Sequence, residues 1–269
     1  MGTHSNKRFS TINLYVNRGS RSVVNNLSFQ IEIGTLVGVL GANGAGKSTL
    51  LSVLAGECSV NSGSVCINGV SLSTLTALEQ AQLRAVLPQH SSLSFNLSVI
   101  EIVTMGAYSY PEAQPQLLNR WVVESLHDTD LSHLTDVNYT ELSGGQQQRV
   151  HLARVLVQSR AIAHFHGHAW ILLDEPTSSL DPRHQQLLFQ KIHALTRAEN
   201  FGVMVVMHDL NLAALWCDRL MLMKEGALIF DDCPANTLTS NNLLECFDNP
   251  MHVFPHPIYS DKVCVVAHK

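Results

Sequence analysis

Apolar and polar residues alternate along FSTINLYVN (9–17) and NNLSFQIEIG (25–34). That period of two predicts half-buried strands. TLVGVLG (35–41) is instead a continuous apolar run ending in glycine, the pattern of a buried parallel strand feeding a loop. KSTLLSVLAGE (47–57) continues as a helix, GSVCINGVSL (63–72) as a strand and turn, and RAVLPQH (84–90) as an apolar strand with a polar end. The spacing then changes to threes and fours. It predicts helices over SVIEIVTMGAYSY (98–110), PQLLNRWVVESLHDTDL (115–131) and QQQRVHLARVLVQ (146–158). Strands return at AWILLDEP (169–176) and FGVMVVMHD (201–209), with a helix between them at PRHQQLLFQKIHALTRAEN (182–200). A helix over NLAALWCDRL (211–220) and a strand over LMLMKEGALIF (220–230) follow. The tail beyond Asp232 reads as a short helix and a loop. The pattern is that of an α/β chain with a helical block set between its two halves.

Composition narrows the function classes. The chain has 269 residues, 45% hydrophobic and 14% charged, enough apolar content for a sizeable core. The net charge is −5 and no long basic run occurs, which disfavours a general electrostatic footprint on nucleic acid. The six cysteines show no CxxC spacing and read as reduced thiols of a cytosolic chain. No run reaches about 18 uninterrupted apolar residues, the length that reads as a membrane span. The opening MGTHSNKRFS lacks the apolar core of a signal peptide, and Asn6 does not fit a myristoylation signal.

The candidate chemistry sits in the loops. GANGAGKST fits G-x-x-x-x-G-K-[ST], with Gly41, Gly46, Lys47 and Ser48 at the required places. Ala42, Asn43, Gly44, Ala45 and Thr49 complete the loop. Such a backbone wraps phosphate oxygens, the lysine reaches the β- and γ-phosphates, and the serine hydroxyl binds Mg²⁺. In WILLDEP, Asp174 ends an apolar strand and matches the acid that holds Mg²⁺. Glu175 follows it directly. Adjacent strand side chains face opposite ways, so both reach one site only if the strand ends there, and Pro176 supports such an ending. A glutamate there is placed to activate water. His208 ends the apolar run VMVVM and is a candidate to contact phosphate or position water, with a structural histidine as the alternative. Gln89 ends another strand and is a candidate Mg²⁺ ligand. TELSGGQQQRVHLAR (140–154) is a second loop that opens onto a helix, again with free N–H groups facing an anion. His164, His166 and His168 read as solvated loop histidines, and Trp121 and Trp216 as core.

The order of these motifs resembles the ATP-binding subunit of ABC transporters over nearly the full chain. GANGAGKST is similar to the Walker A loop, Gln89 to the Q-loop, LSGGQ (142–146) to the signature, ILLDE (171–175) to Walker B, SSLD (178–181) to the D-loop and His208 to the H-loop. The resemblance implies a single domain of α/β P-loop NTPase fold. Residues 1–90 and 160–232 would form the nucleotide-binding core with an antiparallel β subdomain. Residues 91–159 would form an inserted helical subdomain and 233–269 a short extension. It implies ATP and Mg²⁺, with Ser48, Gln89 and Asp174 on the metal and Glu175, His208 and Gln89 in catalysis. Tyr15 lies roughly where the family stacks an aromatic on adenine. Two copies would pair head to tail, so that Leu142, Ser143, Gly144, Gly145, Gln146 and Asp181 face the partner's ATP.

The resemblance further implies transmembrane permease subunits, an indirect periplasmic binding protein, no nucleic acid, and a place on the cytoplasmic side of a bacterial inner membrane. RAVLPQHSSLSFNLSVIEIVTMG and HDLNLAA look like the iron-chelate and vitamin B12 importer branch, and RAVLPQHSSLSF is most similar to haemin importers. Ala107 stands where that branch would carry an arginine. Siderophore or B12 import is the alternative with the same chemistry. A DNA-repair relative would insert a long coiled coil before the signature, and a translation relative would carry two cassettes.

Overall fold

The computed structural model describes residues 7–89 and 96–268. The amino-terminal MGTHSN and HSSLSF (90–95), half of the branch-specific stretch, lie outside the described residues. Three layers stack on one central sheet. The first is an antiparallel sheet of β1 (Arg8–Arg18), β2 (Arg21–Glu32), β4 (Ser62–Ile67) and β5 (Val70–Ser71), in the order β2-β1-β4-β5. The central sheet takes β3 (Leu36–Gly41), β6 (Arg84–Leu87), β7 (Ala169–Asp174), β8 (Phe201–Val206), β9 (Arg219–Lys224) and β10 (Ala227–Asp232), in the order β10-β9-β3-β8-β7-β6. It is parallel except for β10.

Helices supply the third layer. They are α1 (Lys47–Leu54), α2 (Ala77–Ala81), α3 (Val99–Thr104), α4 (Pro115–Asp128), α5 (Gly144–His166), α6 (Pro182–Ala198) and α7 (Leu210–Trp216), followed by α8 (Pro234–Thr237) and α9 (Ser240–Phe247).

The central strands are apolar on both faces because each face has a core to fill. Val37, Val39, Trp170, Leu172, Met204 and Val206 point at the antiparallel sheet and α1. Their neighbours Leu36, Leu40, Ile171, Leu173, Val203 and Val205 point at the helical layer. Phe9 meets Trp170 edge-on with ring centroids 5.8 Å apart, an arrangement that adds about 0.5–1.5 kcal/mol to the burial of such rings. It ties the two sheets together.

Four expectations are corrected. The stretch 220–230 is a hairpin, because Glu225 and Gly226 adopt φ of 49° and 81° and turn the chain between β9 and β10. The helix over 211–220 stops at Trp216, since Arg219 and Leu220 pair with β3. The tail adds two helices and a hairpin of β11 (Met251–Pro255) with β12 (Val263–Ala267), rather than one helix and a loop. Finally, α5 runs unbroken past residue 158 to His166 and ends on Gly167 in a left-handed C-cap. His164 and His166 are therefore helical. His168 is buried, and its ring bonds Asn68 and the His166 carbonyl. Trp121 is buried and Trp216 half-buried against the same core.

Candidate nucleotide site

Parallel register brings the site together. Val39 of β3 and Asp174 of β7 both pair with Val206 of β8, so the carboxyl ends of three adjacent strands open into one crevice, where open α/β sheets bind ligands. The chain leaving β3 forms the loop 42–46 and enters α1 through Gly46, whose φ is 100°. A Cβ there would collide with the Val23 carbonyl, so glycine is required for both reasons. No side chain caps α1, which leaves its first N–H groups facing the crevice for an anion.

Lys47 is buried, and its Nζ donates to the carbonyls of Gly41 at 2.6 Å and Ala42 at 3.0 Å. Burial lowers its pKa, against the opposing pull of Glu175, Cys246 and Asp174. Ser48 Oγ donates to Asp174 Oδ1 at 3.5 Å. Asp174 is buried, and that burial raises its pKa. A desolvated carboxylate beside a hydroxyl is a hard-oxygen donor pair that fits Mg²⁺.

Strand β7 ends at Asp174, and Glu175 takes a left-handed φ of 49°. This turn is what lets two consecutive carboxylates share one crevice. His208, two residues past the Val206 that pairs with Asp174, places Nε2 2.6 Å from Glu175 Oε1. Burial pushes the Glu175 pKa up, but hydrogen bonds from His208 and Gln89 outweigh it and hold the carboxyl below its ordinary value. Gln89, Glu175, His208 and Asn43 to Thr49 line one cavity of about 500 Å³.

Residues 24–178 match the ABC transporter family. A hemin import ATP-binding protein from Bordetella avium is 47% identical over 244 residues, 91% of this chain and 93% of that one. The chain belongs to the ABC transporter family. A chain described as a metal-chelate type ABC transporter in an inward-facing conformation superposes with a TM-score of 0.79 at 27% identity, covering 98% of both chains. A dimeric ATP-binding cassette bound to ADP and phosphate superposes with a TM-score of 0.72 at 25% identity, covering 84% of this chain and 98% of that one. The protein is therefore an ABC ATPase that binds and hydrolyses ATP.

In this ABC ATPase the signature stands apart from the cavity. Leu142 is buried, and Ser143 caps α5 through a capping box with Gln146. Gly144 has open space where a Cβ would project, whereas at Gly145 a Cβ would meet the Ser179 carbonyl at 2.9 Å. Asp181 caps α6 by accepting from the His184 N–H at 2.9 Å. None of these residues lines the cavity. Tyr15 does not line it either: it lies on β1, where it pairs with Ser62. The cavity's remaining wall is Arg18, Arg21 and Val23, which sequence reasoning missed. The available signal was two arginines flanking a Gly-Ser turn. Gln148 was also missed. Its amide donates to the Glu175 carbonyl at 3.1 Å and accepts from the Ser179 N–H at 3.1 Å. It thus joins α5 to the segment after β7.

Proposed function

We propose that this ABC ATPase powers the import of haem through a transmembrane permease, working as a head-to-tail homodimer with Mg²⁺–ATP at each composite site. One observation carries the dimer: the chain has two phosphate-facing loops, and the signature contributes nothing to the cavity around its own phosphate loop. Two such loops are used together when each serves a different nucleotide. The dimeric ADP-bound cassette supports the same reading. Haem is favoured by the relatives named for hemin import at 42–47% identity. In this reading the helical subdomain, 91–159, meets the permease on the cytoplasmic side of the inner membrane, and a periplasmic binding protein delivers the substrate. Among the described residues no helix is long and apolar enough to cross a membrane, so the ATPase would be peripheral.

Chemistry follows from the positions. Lys47 and the loop amides hold the β- and γ-phosphates. Ser48 and Asp174, with Gln89, would hold Mg²⁺, which neutralises charge on those phosphates when bound. Glu175 accepts a proton from water as the water oxygen attacks the γ-phosphorus and ADP leaves. His208 orients that carboxylate. Ser143, Gly144, Gly145 and Gln146 cap the partner's γ-phosphate with the α5 N-terminus.

Two experiments test this. Ser143→Arg should bind ATP as a monomer yet block dimerisation and hydrolysis. Mixing it with Lys47→Ala subunits should restore partial activity, since one composite site is then intact. Loss of monomer binding in Ser143→Arg overturns the head-to-tail arrangement. For the substrate, vesicles carrying the ATPase with its permease should take up haem on ATP addition. Uptake of ferric siderophore or cobalamin instead assigns the chain to that alternative.

A further inference from the structure

The cavity has two chemically different ends. One holds Lys47, Ser48, Gln89, Glu175 and His208, and the other is built by Arg18, Arg21 and Val23. Arg18 ends β1, Arg21 begins β2, and the two pair directly across the hairpin. Like charges in that relation destabilise a hairpin. Both side chains are exposed, and among the described residues neither has a hydrogen bond or ion pair. Their placement therefore has no structural compensation within the chain. A nucleotide with its terminal phosphates on the loop and Lys47 directs its base away from the hydrolytic end, toward these arginines. Guanidinium groups are planar, weakly hydrated and stack on π-faces.

We propose that Arg18 and Arg21 form the base subsite, stacking their guanidinium planes on the purine while Val23 supplies apolar contact. This rests on the ATP reading of the cavity. It gives the base a cationic platform at the hairpin turn in place of the Tyr15 ring. Stacking and phosphate pairing make different demands on a side chain. Lysine keeps charge but not the plane, whereas tyrosine keeps the plane but not charge.

The test is calorimetry on the full chain with two probes, Mg–ADP and Mg–tripolyphosphate, which lacks a base. Arg18→Ala and Arg21→Ala should each weaken ADP about tenfold, the order of one base-stacking contact, and leave tripolyphosphate affinity nearly unchanged. Arg18→Tyr should retain most of the ADP affinity, and Arg18→Lys should resemble Arg18→Ala. A parallel loss of tripolyphosphate, or rescue by lysine but not tyrosine, means the arginines act on phosphate and overturns the proposal. Undiminished ADP binding in both alanine variants also overturns it, while wild-type binding of ADP leaves the ATP reading standing. A wild-type chain that binds neither probe sinks the ATP reading itself, a distinct result. Lys47→Ala, which should lose both probes, is the control.

Discussion

His208 Nε2 lies 2.6 Å from Glu175 Oε1, across the gap between β8 and β7. Glu175 is the more buried partner, at 16% side-chain exposure against 48% for His208. The histidine thus fixes the direction of a carboxylate that burial alone would favour as the neutral acid. Glu175→Gln preserves shape and removes the base. It should keep ATP binding and slow turnover by about 10²-fold or more, the usual worth of a general base. Single-turnover hydrolysis in the reconstituted transporter measures this, and full activity would remove Glu175 from the role.

Lys47 is already engaged without nucleotide, by two loop carbonyls. Replacing it with alanine therefore removes two hydrogen bonds as well as a buried charge. Nucleotide-free stability should change by only about 1 kcal/mol, because net hydrogen-bond worth is modest and the ammonium's desolvation is relieved. ATP affinity should fall far more. Calorimetry and urea unfolding on the same variant separate the two effects.

Gln148 offers a test of communication between the signature helix and the carboxylate segment. It touches the Glu175 carbonyl and the Ser179 N–H, and stands at one remove from the phosphates. Gln148→Ala should reduce turnover about tenfold, while monomer ATP affinity stays as in wild type. The loss expected is about that of one aligned hydrogen bond. An equal fall in monomer affinity would mean that it acts on nucleotide binding instead.

Asp128 gives a pH prediction remote from the site. It takes hydrogen bonds from Arg160 on α5 and from Lys191 on α6, the latter at 2.9 Å. Burial works to raise its pKa, but these two cations prevail and hold it below the ordinary value. A lowered folded-state pKa stabilises above the unfolded-state value, and that contribution fades as pH falls through the folded-state value. Asp128→Asn should cost about 2–3 kcal/mol at pH 7. The gap from wild type should shrink below about pH 4, near the unfolded carboxyl value. Urea unfolding at pH 7 and pH 3 checks both arms.

The sequence by itself determined the strand–loop–helix around Lys47, because glycine spacing and an apolar run are local signals that no distant contact had to supply. It also located Asp174, Glu175 and His208 at strand ends, since polarity changes abruptly there. What it could not carry was juxtaposition. Glu175 and His208 are 33 residues apart, and they meet only because β7 and β8 pair in one parallel register. Tyr15 and Arg18 are equally plausible cavity residues in one dimension. Strand pairing decides between them: Tyr15 is held beside Ser62, and the hairpin turn delivers Arg18 and Arg21 to the cavity wall. The histidines near 166 were misread for the same reason. A helix extends as long as tertiary burial rewards it, and the burial of Ala161 and Ile162 against the core carried α5 on to Gly167.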